Sequence, residues 1–404
     1  LFITATCSFT GYDNPTFTTA GEETLLNPRG GAIALMTTVR AVFARQNANL
    51  TQATLEELFQ KANNGRYRTL GEVMRQAKNK FTNPSITINS RKYSLIGDPA
   101  MRLAIPELNV QTTQVNMQPA SPTTVDTIRA LDRVTVRGIV TGADGQPLTN
   151  FNGIVSPTVF DKQTSVSTLG QDSDSPVYDF TVQRNVIFKG RASVTNGAFE
   201  FTFVVPRDIN YDFGFGKVSY YATDENDTDA TGSYERLVIG GTSDGFADEQ
   251  GPRVDVFMNT EDFVFGGITN SDPTLLVKLE DDNGINVVGN SIGHDLEAVL
   301  DGDTQNSFLL NDFYESELDD YRRGSARFPL FELEEGRHEI RVTAWDVANN
   351  PSEGYTEFFV TDAAEIALEH VLNYPNPFTD RTCFQFDHNI AGQDMDVLIQ
   401  IFTI

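Results

Sequence analysis

The chain is poor in cysteine, histidine and basic side chains. Its 404 residues include two cysteines, Cys7 and Cys383, and four histidines. That excludes the disulfide framework of small exported domains, and at this length each of about two to four domains can bury its own core. A Cys7–Cys383 bridge would block the thiol and is not expected. Lys and Arg number 30 against 56 Asp and Glu, for a formal net charge of -26. Without clustered cations to meet phosphate, a nucleic-acid partner and an anionic membrane are excluded. No window of about 18 apolar residues spans a bilayer as a helix. The scattered histidines and lone cysteines give no zinc pattern, and no Gly-rich phosphate loop follows a strand, so no cofactor and no transition metal are expected.

What is present begins with LFITATCSFTGYDNP. Leu1 to Thr6 is apolar and β-branched without charge, as a strand buried on both faces of a parallel sheet reads. Such strands deliver functional groups at their carboxyl ends, where Cys7 stands. Ser8, Gly11, Asp13, Asn14 and Pro15 supply turn chemistry and hold the thiol at a rim. On spacing alone an inert buried thiol is the commoner reading of such a cysteine.

Ala32 to Thr38 reads as a second buried strand. Helical spacing follows over Val39–Gln46, then at Leu55, Leu58 and Phe59, then at Leu70, Val73, Met74 and Ala77. Thr54 with Glu57 has capping-box spacing and predicts a helix start there. Tyr93 to Pro99 and Met101 to Ile105 close the region. Strand and helix in alternation make residues 1–106 the closing part of an α/β domain. Residues 107–127 are polar and weakly periodic and read as a linker. From 128 the period becomes two, with Gly, Asn and Asp turns, predicting all-β modules over 128–245 and 246–362 of immunoglobulin-like sandwich size. Residues 363–404, with NYPNPF and a final apolar run, predict a further β-module, in which Cys383 beside Phe384 reads as buried. Opening and closing in apolar runs, the chain reads as a piece of a longer one.

Three stretches together resemble one family. TATCSFTGYDNP with AGEETLLNPRGGAIALMTTVR, then YSLIGDPAMRLAIP, then GINVVGNSIGHDL with GRHEIRVTAWDVANN are similar to the surface sortases of the type IX secretion system, the PorU family. These are gingipain-type cysteine peptidases of the caspase-like clan. The resemblance implies a caspase-like fold for residues 1–106, with Cys7 as nucleophile and its backbone N–H as oxyanion donor. It implies cargo proteins with C-terminal sorting domains as substrates, a thioester intermediate, and a surface lipopolysaccharide as acyl acceptor. It further implies a truncated type IX C-terminal domain in 363–404 that holds the enzyme on an outer-membrane β-barrel partner, and a cell-surface location reached through a signal peptide in preceding sequence. The family's histidine stands in a His-Gly element upstream of the cysteine strand. None of His294, His338, His370 and His388 fits that role, so activity from this chain alone is not expected. His294 reads as structural.

Calcium is admitted as a structural ion only, with candidate oxygen ligands at Asp227–Gly232, at Asp281, Asp282 and Asn283, and at Asp301 and Asp303; each also reads as a turn. Two other functions stay open: a non-enzymatic adhesion or spacer protein carrying a degenerate peptidase remnant, and a gingipain-like protease that is itself exported cargo.

Overall fold

The computed structural model describes residues 1–388 apart from 29, 81–86, 122, 124, 173, 225, 227, 244, 290–292, 362–367 and 376–379. Asp227, the Asn376–Phe378 part of NYPNPF and the terminal run lie outside the described residues. The chain divides into two compact units, Leu1–Ile105 and Pro106–Ile404.

Unit 1 runs β1 (Phe2–Ile3), α1 (Ala20–Leu26), β2 (Leu35–Thr38), α2 (Ala44–Leu58), α3 (Leu70–Asn79), α4 (Thr87–Lys92) and β3 (Tyr93–Ile96). β2 is central, parallel to β1 and antiparallel to β3. All four of its residues are buried, as an uncharged Leu-Met-Thr-Thr run requires. Ala34, Met36, Leu50, Ala53, Leu70, Val73, Ala77 and Tyr93 form the core. β1 departs from expectation. It is two residues long, and Phe2 is 44% exposed, its ring 5.7 Å from Phe9. Within the described sheet β1 is an edge strand with one neighbour, so only one flank is covered.

The helix starts also differ. α2 begins at Ala44, and Thr54 lies inside it, buried, its hydroxyl donating to the Leu50 carbonyl (2.8 Å). Glu57 is paired instead with Arg68 and with Lys80 (2.6 Å). A reciprocal capping box stands at α3, where the Glu72 N–H donates to Thr69 Oγ1 and the Thr69 N–H to Glu72 Oε2, both 3.2 Å. The Gly-Asp-Pro element completes that end: the Pro99 and Met101 carbonyls accept from Gly71 N (2.9 Å) and Leu70 N (2.8 Å). A Cβ on Gly71 would meet the Pro99 oxygen at 2.9 Å, so only glycine fits.

In unit 2 the expected linker is a strand. β4 (Leu108–Val115) and β5 (Gln118–Pro119) precede β6 (Asp126–Ala130), β7 (Arg133–Thr141), β8 (Gly153–Phe160), β9 (Thr164–Ser167) and β10 (Asp179–Val182). Next come β11 (Val186–Lys189), β12 (Ala192–Thr195), β13 (Ala198–Val204), β14 (Gly214–Asp224) and β15 (Asp229–Thr242). Apart from the β9–β10 hairpin these form one ten-stranded sheet, and the path β4-β7-β13-β12-β8-β14-β15 closes on itself through a parallel β15–β4 pairing. Its interior holds Val110, Val136, Val155, Phe201, Phe203 and Tyr220. β4 looks polar because Val110 and Val115 alone are buried along it, while Thr112 reaches inward to the Tyr220 hydroxyl (2.6 Å).

The second module contains β16 (Arg253–Met258), β17 (Gly267–Thr269), β18 (Thr274–Glu280), β19 (Glu297–Leu300), β20 (Phe308–Leu309), β21 (Tyr314–Glu317), β22 (Asp320–Pro329), β23 (Gly336–Trp345) and β24 (Pro351–Val360). Two sheets, β16-β18-β22-β21 and β17-β24-β23-β19-β20, enclose Leu275, Val277, Leu296, Ile340, Val342 and Phe358. His338 lies against Phe358 with Nδ1 2.7 Å from Asp301 Oδ2 and Nε2 2.7 Å from the Glu334 carbonyl. Burial opposes its protonation, but these two acceptors outweigh burial and raise its pKa. β25 (Leu368–Tyr374) and β26 (Cys383–His388) pair as a two-stranded sheet. Cys383, expected to be buried, is exposed there, because no second layer covers that sheet among the described residues.

Candidate active site

Cys7 lies in the loop after β1, past Thr4, Ala5 and Thr6, and is exposed. Three backbone bonds hold its loop against β2 and the residues after it: Thr4 N to the Met36 carbonyl (3.1 Å), Ser8 N to Arg40 (3.4 Å) and Thr10 N to Thr38 (3.2 Å). The Thr6 carbonyl accepts from the Thr38 hydroxyl and from Asn47 Nδ2 (3.2 Å). Ser8 has φ of 53°, so the chain turns sharply straight after the cysteine. The Val42 N–H points at the sulfur (3.5 Å). That segment is pinned in turn by Asn89, which bonds both backbone groups of Phe43 (3.2 and 2.9 Å), and by Lys92 Nζ on the Ala41 carbonyl (2.7 Å). Arg40 pairs with Asp13 across the loop.

Chemically this is an accessible thiol on a braced turn, with Phe17, Tyr12 and Phe43 exposed in the same unit. Unit 1 contains no histidine, so no imidazole within it serves as base. An inert core thiol, the commoner reading of the spacing, does not fit an exposed sulfur.

Residues 1–104 match the model of peptidase family C25. The match is confined to that segment, and the chain is similar to proteins of the PorU and gingipain type. Dimeric latent PorU from Porphyromonas gingivalis is 31% identical over 83% of this chain and 32% of its own, with a TM-score of 0.41. The complex of Porphyromonas gingivalis RgpB pro- and mature domains is 13% identical over 59% of this chain and 46% of its own, with a TM-score of 0.23. Fibronectin(III)-like modules of Clostridium thermocellum CbhA are 12% identical over 65% and 98%, with a TM-score of 0.19. No curated protein matches the chain. It spans about a third of the length of the PorU chain, 32%. The C25 match over residues 1–104 makes the function cysteine-peptidase related.

Away from the C25 segment, the family-like stretches of unit 2 meet at a junction. Asp208, in the loop after β13, accepts from Asn286 Nδ2 (2.8 Å) and Asn349 Nδ2 (2.6 Å), and its Oδ2 lies 2.8 Å from His294 Nδ1. The His294 ring rests on Trp345, with centroids 4.3 Å apart. Asn286 and His294 from the first of these stretches and Asn349 from the second thus converge on one carboxylate from the preceding module. His294 has the structural surroundings expected of it, although its partner is a carboxylate distant in sequence. Beside this junction a cavity of about 1130 Å³ is lined by Asp208, Lys162, Gln183, Phe213, Phe215 and Arg236, among others; no motif pointed to it.

Of the calcium candidates, Asp301 bonds His338 and the Glu339 N–H (2.9 Å), while Asp303 caps its own turn through Gln305 N (3.1 Å). Asp281 is brought to Asp248 and Asp346, with one oxygen of each within 4.8 Å of the others, an arrangement that could hold a hard cation. Asp281 is 8% and Asp346 0% exposed. Burial, together with the nearby Asp346 and Asp248 and against the Asn283 and Gly284 N–H groups, pushes the Asp281 carboxyl up to about 6. The folded state then holds this proton more tightly than the unfolded chain, whose Asp titrates near ~3.9. The carboxyl therefore costs nothing below about pH 4, and its penalty grows as pH rises to about 6. Asp281→Asn keeps an acceptor for both N–H groups. It is expected to stabilise the second module by about 1–3 kcal/mol at pH 7 and by little at pH 4, measured by denaturant unfolding at both. Lower stability at pH 7 would mean that the ionised carboxylate is needed there, as a bound cation requires.

Proposed function

We propose that the chain is the nucleophile-bearing and β-module part of a cell-surface cysteine endopeptidase and sortase of the type IX secretion system. The observation that carries this reading is Cys7, exposed on a braced turn inside the C25 segment, with no acceptor for its own N–H among the described residues. The Cys7 thiolate attacks the carbonyl carbon ahead of a cargo protein's C-terminal sorting domain. The C–S bond forms as the carbonyl π pair moves to oxygen, and the Cys7 N–H stabilises that oxyanion. Collapse expels the amine, which takes its proton from a histidine lying in a His-Gly element that precedes Leu1 in the full-length protein. Water, or an amine on a surface lipopolysaccharide, then attacks the thioester and returns the thiol.

In this reading the β-modules space the peptidase from the surface. The region from 363 docks on an outer-membrane β-barrel partner. No helix among the described residues is long and apolar enough to cross a membrane. Calcium, if bound, is structural.

The reading is tested by treating the full-length protein with a thiol-directed peptide inhibitor and mapping the adduct by mass spectrometry. Stoichiometric labelling at Cys7 with loss of cargo processing is expected. Labelling confined to Cys383, which is also exposed, would favour the adhesive alternative.

A further inference from the structure

The Thr6–Cys7 peptide group is held from one side only. Its oxygen accepts two hydrogen bonds, from the Thr38 hydroxyl at the end of β2 and from Asn47 Nδ2 in the first turn of α2. Both donors are fixed by burial, Thr38 at 0% and Asn47 at 1% exposure. Thr38 grips the loop twice, since its carbonyl also accepts from Thr10 N (3.2 Å). The N–H of the same peptide has no acceptor among the described residues.

A trans peptide is planar, with C=O and N–H on opposite sides, so fixing the oxygen fixes the direction of the hydrogen. Two donors fill both lone pairs of that oxygen, leaving the plane little freedom to rotate. They also polarise the amide and make its N–H a better donor. We infer that Thr38 and Asn47 are positioning residues for the oxyanion site, orienting the Cys7 N–H toward the carbonyl oxygen of the scissile bond. This deepens the proposed function and rests on Cys7 being the nucleophile.

Asn47 supports the inference from a second direction. Its Oδ1 is buried with no partner, a placement that costs stability. A leucine of similar volume would fill the same space without an orphaned acceptor. A polar side chain that weakens the fold where an apolar one would serve is the pattern of a site shaped for activity rather than stability.

Two probes of one thiol separate this role from a merely structural one. A peptide aldehyde built on the residues preceding the processed C-terminus of a cargo protein forms a tetrahedral adduct and needs the oxyanion donor. Iodoacetamide alkylates sulfur by direct displacement and needs only the thiol. In the full-length protein, the double variant Thr38→Val with Asn47→Leu is expected to bind the aldehyde about tenfold or more weakly and to lose kcat by a similar factor, with KM nearly unchanged. Iodoacetamide should alkylate Cys7 at close to the wild-type rate, and Thr38→Ser, which keeps the hydroxyl, should behave as wild type.

Unchanged aldehyde affinity and kcat would overturn the inference. So would a parallel fall in alkylation, which would place the effect on the thiol. If the double variant does not fold, Asn47→Leu alone carries the same comparison, because it removes a donor together with the orphaned acceptor. Failure of the underlying reading is separately visible: Cys7→Ala would then keep cargo processing, and the aldehyde would not inhibit the wild-type protein.

Discussion

Replacing Cys7 with Ala in the full-length protein is expected to slow removal of cargo C-terminal domains by at least ~10³-fold, in line with the loss of other catalytic nucleophiles. The sulfur is the atom to which the acyl group must transfer, and water cannot take its place on this turn without a comparably oriented nucleophile. Stability should hardly move. Cys7 is exposed, and its hydrogen-bonding contacts are the two 3.5 Å approaches between sulfur and the Val42 backbone, so the change belongs with surface substitutions worth within about 0.5 kcal/mol. The measurement is the ratio of processed to full-length cargo in cells carrying the variant, with thermal unfolding of the purified variant beside it. Cargo processed as in the wild type would remove Cys7 from the mechanism. A variant that unfolds early would move Cys7 from chemistry to packing.

Asp208→Ala is expected to have the largest effect on stability, about 3–5 kcal/mol, because one change removes a charged acceptor from three donors. Asn286 is 1% exposed, and its amide is left with only the longer 3.3 Å bond to Asn349 Oδ1. The Asn349 amide and His294 Nδ1 lose the same oxygens. The adjacent backbone bond, Arg207 N to the Val347 carbonyl (2.8 Å), lies next to the lost carboxylate and should weaken with it. Asp208→Asn keeps the shape but turns an amide toward other amides, and it should cost about 1–2 kcal/mol. Denaturant unfolding gives the totals. Hydrogen exchange over 285–289, 293–296 and 345–350 locates them, with faster exchange there and little change at β13 and β14. A uniform rise across both modules would mean that the carboxylate supports the whole unit and not the junction.

These features differed in how far the sequence disclosed them. β2 was legible because an uncharged strand leaves no choice of environment, and α3 because Leu70, Val73, Met74 and Ala77 mark a single stripe. The Thr54–Glu57 spacing misled for a physical reason. A threonine inside a helix satisfies its hydroxyl on the carbonyl four residues back, and a glutamate three residues on can serve a basic partner instead of a cap. In the sequence β4 reads as a linker because Gln and Thr give little hydrophobic alternation, yet two buried valines suffice when neighbouring strands supply the rest of the core. The sequence puts Cys7 directly after a strand, whereas β1 ends at Ile3 and Cys7 stands beyond it in the following loop. Its brace from Thr38 and Asn47 could not be read there, since those residues lie 32 and 41 positions from Thr6, whose carbonyl they hold. The Asp208 junction and the Asp248, Asp281 and Asp346 group were hidden in the same way, being assembled from loops that only the fold brings together.

The closing of the first β-module by β15 on β4 joins Ala230 to Leu108, so the strand made first waits for the one made last, with about 120 residues of chain between them. Such a contact is slow to form, because the entropy of closing the loop is lost before the pairing gives anything back. Until β15 arrives, the flank of β4 that it will cover presents unpaired N–H and C=O groups to any neighbouring chain. The ring therefore sets an order of assembly, in which the segment directly following the C25 domain is the last part of its own module to be sealed.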